Sequence, residues 1–531
     1  MESSLITKNL SKGWSLKLVL VLICLTLYLP HLAGRDLWAG RETLYAQVAR
    51  ETLQGDWLVP HFNGEIYVNK PPLYFWTIAL LSKPWGDVTE FSLRLPSALA
   101  AIGTVLVVYS LGERLIGTGG GFLAGLILAT SPEFHKYACV AKLEMPLTFF
   151  VSASLACFYL GLNSTSGGRW YCLWGWFFMA LSVLTKGIGI ILILSVLGLY
   201  LLSRGELHRW REMEPLPGSL LFILLIMAWL VPAQLFGGIS YMEDMVSHLE
   251  THVGRSYSFF KPIFYIGETL VGTLPWSLIL VGFYACWKNR GPGVSESLRF
   301  PAVWFLAVFL LFSLIMAKRS RYLLPLYPAV ALMLGALWHY YVEKASPLWN
   351  WERWSIVLGF GFCGGSFLGL VYAGLPVSWI VLLVGLCVLG LTLLTLWARQ
   401  YKVLFGSLFL FVMAFETTYA QLVLPKESHA GQERGLCQEI LGVVETDASL
   451  VTYQLFNPDY VWYTKGRIKD VSSREALLNL FSGTKRVYCL VAEGDLPSSG
   501  LESDAFKVKE FQRPGRQGGR LLLLSNRPAS Q

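Results

Sequence analysis

Charge is scarce in this chain. Only 15% of its 531 residues are Asp, Glu, Lys or Arg, against 54% hydrophobic, whereas soluble domains carry about a quarter charged residues. That shortage excludes an ordinary soluble globular protein. A basic domain is also missing: the net charge of +8 comes from Lys and Arg scattered between apolar runs, which excludes a nucleic-acid partner. Cysteines number nine, an odd count, and most lie inside apolar runs, so neither a disulfide framework nor a CxxC metal site is indicated. Only Cys437 and Cys489 fall where a pair has room outside a bilayer. No nucleotide-binding glycine loop appears, because RPGRQGGR lacks the spacing and strand context of a phosphate cradle. No internal repeat is visible, which disfavours a transporter.

Long apolar runs fill the space that charge leaves. At roughly 20 residues per helical crossing, the runs predict about thirteen spans, near residues 16–32, 92–112, 118–134, 143–161, 170–185, 187–203, 218–236, 264–287, 300–317, 322–341, 354–373, 377–397 and 403–423. Twenty Trp and twenty-four Tyr suit interfacial belts. The first run follows Lys8, Lys12 and Lys17 and reads as an uncleaved signal anchor, since the small-residue site near Ala33 and Gly34 is weak. With a cytoplasmic N-terminus, the inner loops carry Arg114, then Arg204, Arg209 and Arg211, then Lys288 and Arg290, as the positive-inside rule requires. An odd number of spans sends the tail outside. From Pro425 the composition changes: LVTYQL, RVYCLVA and RLLLLS read as short strands and SREALLNLF as an amphipathic helix. The fold class is therefore an α-helical multi-pass membrane protein, residues 1–424 with outer loops 33–91 and 237–263, followed by a small α/β soluble domain, 425–531. That second domain reads as accessory.

The outer segments are charged against the topological bias, and ionisable groups kept at a membrane face mark function more often than anchoring. RETLYAQVARETL predicts a helix along the membrane surface, with Glu42, Tyr45, Ala46, Ala49 and Leu53 on one face, Arg50 and Glu51 on another, and Gly55 as cap. An amphipathic linker would look the same. Lys70 stands directly before Pro71-Pro72, on extended backbone at a helix entrance, where a flexible point charge suits a phosphate. In AKLEMPLTFF, Lys142 and Glu144 precede Pro146 and an apolar helix, so the carboxylate either caps the helix or reaches into a cavity. LTKGIG puts Lys186 between two spans, and AKRSRYLLPLYP sets Lys318, Arg319 and Arg321 beside Tyr322. Several cations and two acids on one membrane face fit an anionic lipid head group with an acid nearby. In SHLETHVGR, His248 and His252 have the i, i+4 spacing of two metal ligands, followed by Arg255. Solvated histidines share that spacing, so a divalent metal ion is the one cofactor left open and none is required.

Taken in order, these motifs resemble the polyprenyl-phosphate-sugar-dependent glycosyltransferases of the GT-C superfamily, most of all the bacterial lipid A aminoarabinose transferase branch, which is related to the protein O-mannosyltransferases. GRETLYAQVARE is similar to the family's first outer loop at Glu42, Tyr45, Ala46 and Arg50. The loop ending in Lys-Pro matches at Lys70, LEMPLTFF at Glu144, LTKG at Lys186, HVGR at His252 and Arg255, and KRSRYLLPLYP at Lys318, Arg321 and Tyr322. Three positions depart from the pattern: Arg41 replaces the first acid of the family's Asp-Glu pair, Glu144 replaces an Asp, and Asn69 stands where the branch often has Glu.

The resemblance implies an inverting transfer of a sugar from undecaprenyl or a similar polyprenyl phosphate to a lipid acceptor such as lipid A. It places the reaction on the periplasmic face of a bacterial inner membrane, with the C-terminal domain periplasmic. A protein hydroxyl as acceptor, or lipid binding or transport without transfer, are the alternatives. With Arg41 in place of the family's catalytic Asp, the general-base role passes to Glu42, to Asp36 by a local shift, or to another acid, and is assigned here to Glu42, with Glu144 orienting sugar or acceptor. Lys70, Arg255, Lys318 and Arg321 would hold the donor phosphate, Tyr45, Lys186 and Tyr322 would bind substrate, and His252 with His248 would carry any metal.

Overall fold

The computed structural model describes residues 2–37, 40–237, 261–278, 292–314, 319–344, 390, 394, 400–422, 430–501, 505–513 and 519–528. In chain order the helices used below are α1 (Glu2–Tyr28), α2 (Glu42–Gln54), α3 (Leu73–Ser82), α4 (Glu90–Ile116), α5 (Thr118–Ala129), α6 (Pro132–Ala138), α7 (Glu144–Leu162), α8 (Gly168–Thr185), α9 (Gly189–Arg204), α10 (Pro215–Gly237), α11 (Lys261–Gly272), α12 (Pro292–Leu314), α13 (Tyr327–Lys344), α14 (Tyr401–Leu422), α15 (Ala430–Val443), α16 (Pro458–Tyr463) and α17 (Arg474–Phe481). Two compact units emerge. The first contains Met1–Leu32, Val68–Thr77 and Arg94–Val423; the second contains Ala33–Tyr67, Ile78–Leu93 and Leu424–Gln531.

The first unit is helical. Among the described residues, five segments are long and apolar enough to cross a membrane: Gly13–His31, Glu90–Ile116, Glu144–Leu162, Pro215–Gly237 and Ser320–Tyr340. The expected span at 354–373, most of that at 377–397 and the last part of that at 264–287, from 279 on, fall outside the described residues. The run expected as one span over 118–134 is two helices, because α5 stops at Ala129 and Pro132 opens α6; a proline starts a helix readily but cannot continue one.

Glycine lets these helices meet backbone to backbone. A Cβ on Gly121 in α5 would sit 2.6 Å from the Glu113 amide nitrogen and 2.7 Å from the Tyr109 carbonyl in α4, and one on Gly335 in α13 would sit 2.6 Å from Ala124 Cβ. Small residues at such crossings give helices their van der Waals contact where lipid removes the hydrophobic drive. Gly121→Leu is therefore expected to destabilise the detergent-solubilised protein by about 1–3 kcal/mol through overpacking. Gly198→Ala in α9, where the new methyl meets open space, should leave the melting temperature unchanged or raise it slightly, since Ala is the better helix former. Two buried indoles inside the unit are satisfied: Trp276 Nε1 donates to Thr130 Oγ1 at 3.1 Å and Trp304 Nε1 to the Pro325 carbonyl at 3.0 Å.

The second unit joins an early segment to the end of the chain. Its five strands, β3 (Ser449–Tyr453), β4 (Ile468–Val471), β5 (Val487–Ala492), β6 (Phe506–Gln512) and β7 (Arg520–Ser525), lie in the order β4-β3-β5-β7-β6, after a short hairpin of β1 (His61–Phe62) and β2 (Glu65–Ile66). β3, β4 and β5 run parallel, and β7 and β6 add antiparallel. β5 is buried along its whole length, as a central strand covered on both faces must be. Its core gathers Val451, Leu477, Phe481, Cys489, Val491 and Leu522.

Cys437 and Cys489, the two thiols with room to pair, are both free and buried. Burial pushes each thiol up to about 12. Neither is expected to react with a thiol reagent at pH 8 in the native protein, and both should react once it is unfolded; labelling followed by peptide mass mapping reads this directly.

Candidate active site

Glu144 is the first residue of α7, and Pro146 in the same turn costs no hydrogen bond there. Its side chain is 8% exposed and faces two cations, with Arg321 Nε at 3.1 Å and Lys186 Nζ at 3.3 Å. The charge of Lys142, itself buried, acts on the same carboxylate.

Each cation is delivered by a tight local structure. Lys186 ends α8 in an extended conformation, its amide bonded back to the Ser182 carbonyl at 2.8 Å, and Gly189 closes the turn with an amide bond to the Lys186 carbonyl at 3.0 Å. A Cβ at Gly189 would collide with Ser182, which explains the second glycine in LTKGIG. Arg321 sits in a 3-10 turn over Ser320–Leu326, entered from extended Arg319. Tyr322 completes the group: its ring lies 4.8 Å from Lys186 Nζ and 5.4 Å from Arg321 Cζ, and it stacks on Phe312 at 5.9 Å. Although Arg321 Nε is within ion-pair distance of Glu144, its N–H is not aligned on it, and among the described residues this buried donor has no hydrogen-bond partner. A buried donor left in that state is costly and is ready for an acceptor oxygen.

Lys70 belongs to the same unit. It precedes Pro71-Pro72 and α3, is half-buried, and donates Nζ to the Asn69 carbonyl at 2.7 Å. His248, His252, Arg255 and Lys318 lie outside the described residues.

Glu42 and Tyr45 belong to the second unit. The helix expected over 42–54 forms and ends at Gly55 with φ +148°, and most of it is covered by protein. Glu42, Ala46, Ala49, Arg50 and Glu51 are all buried, because the charged face is covered as well as the apolar one. Arg50 makes a two-pronged pair with Asp87, Nε to Oδ1 at 2.8 Å and Nη2 to Oδ2 at 3.3 Å, and its guanidinium lies 3.6 Å over the Trp462 ring. Glu51 accepts the amides of Asn63 at 2.7 Å and Gly64 at 3.0 Å in the β1–β2 turn and Gln47 Nε2 at 2.6 Å. Glu42 is fully buried with Arg35 Nη1 at 3.5 Å, and Tyr45 is half-buried.

Residues 69–231 match the family model described as dolichyl-phosphate-mannose-protein mannosyltransferase, a stretch that contains Lys70, Glu144 and Lys186. The whole chain superposes on the crystal structure of ArnT from Cupriavidus metallidurans in the apo state with a TM-score of 0.77, at 19% identity over 97% of this chain and 98% of that one. The same ArnT bound to undecaprenyl phosphate gives a TM-score of 0.76. The chain has the GT-C fold and resembles the aminoarabinose transferases. In sequence it is 30% identical over 348 residues to an undecaprenyl phosphate-α-4-amino-4-deoxy-L-arabinose arabinosyl transferase of Edwardsiella ictaluri, covering 62% of this chain and 60% of that one. An uncharacterized protein of Aquifex aeolicus is 33% identical over 326 residues, covering 60% and 63%. The chain thus spans less than two thirds of the length of these curated relatives. An Archaeoglobus fulgidus oligosaccharyltransferase has a TM-score of 0.51 at 10% identity, covering 95% of this chain and 72% of that one.

Arg35, Asp87, Asp459 and Trp462 were not among the sequence candidates. Arg41 at the helix N-cap was the available signal, since it has no side-chain acceptor to offer there.

Proposed function

We propose that the chain is an inverting glycosyltransferase that moves a sugar, 4-amino-4-deoxy-arabinose by the names of its relatives, from undecaprenyl phosphate to a lipid acceptor such as lipid A. The observation that carries this reading is the Glu144 group: an acid held by Lys186 and Arg321, with Tyr322 against both cations and a buried Arg321 N–H unspent. In the reaction the acceptor oxygen attacks the anomeric carbon, the bond from that carbon to the phosphate oxygen breaks, and the electron pair leaves with the lipid phosphate. Charge therefore grows on the phosphate, and preorganised cations away from bulk water stabilise it without rearranging. Arg321 suits this role because its fork matches phosphate oxygens, and Lys70 adds a mobile point charge. Lys318 and Arg255 are assigned to the same phosphate. Glu144 orients Lys186 and Arg321 and meets the sugar, with Tyr45, Lys186 and Tyr322 as substrate contacts. Glu42 is the base for the acceptor hydroxyl, a role in which it must part from Arg35. His248 and His252 would hold a divalent metal if one is used.

We assign the chain to a bacterial inner membrane with its N-terminus cytoplasmic and residues 425–531 periplasmic. The basic stretch 204–211, where Arg204 and Arg209 are clamped by Glu206 and Glu212, supports an inner loop there.

The test incubates purified protein with radiolabelled undecaprenyl phosphate sugars and lipid A. Wild type should transfer label to lipid A, whereas Lys70→Ala and Glu42→Gln should each lose at least 10-fold, the scale of one charge contact or one general base. Label on protein, or none at all with intact donor binding, would replace the reading by one of its alternatives.

A further inference from the structure

Helix α2 begins with an uncapped end. Its N-cap, Arg41, makes no side-chain cap bond, and Gly40 before it has φ +75°, so the chain turns sharply into the helix. The start of the helix is instead tied to a residue far along the sequence. Asp459 Oδ1 accepts the Gly40 amide at 2.9 Å and the Thr43 hydroxyl at 2.6 Å, the latter across 416 residues of chain. Asp459 is 2% exposed. It lies in the first turn of α16, where Asn457 Oδ1 accepts the Asp459 amide at 2.9 Å. One carboxylate oxygen thus ties the start of α2 to the first turn of α16.

Further ties run alongside. Arg50 Nη1 donates to the Trp462 carbonyl at 3.4 Å while its guanidinium covers the Trp462 ring, and Asn63 Nδ2 donates to the Ile468 carbonyl at 2.9 Å. Helix α16 therefore grips α2 at its first turn and again two turns later.

We propose that Asp459 is a positioning residue for sugar transfer: it pins the entry and first turn of α2 through Gly40 and Thr43 and so fixes Glu42, the first residue of that helix, for the acceptor. This rests on the assignment of Glu42 to the reaction centre. The C-terminal residues are then part of the machinery and not an accessory. Both hydrogen bonds end on one oxygen, so the site needs an acceptor at that point and not a charge; an amide oxygen serves equally. Misplacing a reacting group by about 1 Å costs on the order of 100-fold, which is the scale on which such a tie matters.

The experiment uses the full chain in detergent, as wild type, Asp459→Ala, Asp459→Asn and Thr43→Val, with steady-state transfer and hydrogen exchange of residues 40–54. In Asp459→Ala the first turn of α2 should exchange at least 10-fold faster, and kcat should fall at least 10-fold. KM for the undecaprenyl phosphate sugar should stay within about twofold, because Lys186 and Arg321 are untouched. Asp459→Asn should recover both readouts to within about threefold of wild type, and Thr43→Val should fall between. Three results overturn the proposal: unchanged kcat in Asp459→Ala, equal loss in Asp459→Asn, or a loss explained wholly by a smaller folded fraction. Should Asp459→Ala fail to fold, unchanged exchange and kcat in Thr43→Val overturn it instead. If wild type transfers no sugar, the function assigned above fails, while the exchange readout still decides whether Asp459 holds α2.

Discussion

If the chain transfers sugar as proposed, Arg321→Ala is expected to lower that transfer by at least 100-fold and to weaken binding of undecaprenyl phosphate. Two effects combine. Removing the guanidinium leaves Glu144, whose side chain is 8% exposed, with Lys186 as its remaining close ion-pair partner among the described residues. Breaking one member of a buried pair costs about 3–5 kcal/mol, and the 15% exposure of the Arg321 side chain puts the value toward the lower end. The unpartnered Nε–H is lost with it, and that is the group proposed to meet the departing phosphate. Arg321→Lys restores charge without the planar fork and should recover only a small part of the rate. Lys186→Ala should lose less, because its Nζ reaches Glu144 from a side chain 22% exposed and Arg321 remains. Steady-state rates with radiolabelled donor, together with retention of undecaprenyl phosphate on the purified variants, decide the ranking. Equal losses at Lys186 and Arg321 would mean that Glu144 needs charge alone and that the fork is idle.

The second large effect is on stability. Glu51→Ala should destabilise the second unit by about 2–4 kcal/mol, since each hydrogen bond to a buried charged group is worth roughly 1.5–3 kcal/mol. Both oxygens are engaged: Oε1 takes Gln47 Nε2 and the Asn63 amide, and Oε2 takes the Gly64 amide. Those amides belong to a two-residue turn in which Asn63 has φ +57° and Gly64 φ +83°, the left-handed pair that Asn-Gly adopts most readily between hairpin strands. Glu51→Gln keeps one acceptor and turns an amide group toward the other donor, so its loss should be intermediate. Hydrogen exchange at residues 61–66 and the melting temperature check both. An unchanged hairpin in Glu51→Ala would show that the Asn-Gly turn holds itself.

Several features were legible without coordinates because they depend on neighbours in sequence. RETLYAQVARETL forms a helix stopped at Gly55, since its period and its glycine are local properties. LVTYQL, RVYCLVA and RLLLLS contain strands β3, β5 and β7, since buried central strands are continuous apolar runs. The strand β6 escaped, because FKVKEFQ is an exposed edge with lysines turned outward, and edge strands carry charge to discourage pairing with other chains. Strand β4 escaped for a similar reason: IKDV is short, and only Ile468 in it is buried.

The chain's own letters determined that it is apolar enough for a bilayer, where helices such as 42–54 start and stop, and which charged residues stand at the mouths of its apolar runs. Only the tertiary structure decided which of those charges meet. Glu144 finds Lys186 and Arg321 at separations of 42 and 177 positions, and Arg50 finds Trp462, not a membrane surface. Helix period and turn chemistry are set within a few residues, so sequence alone can carry them. A buried charge is settled by whichever opposite charge or donor the fold brings beside it, and no local pattern records that partner.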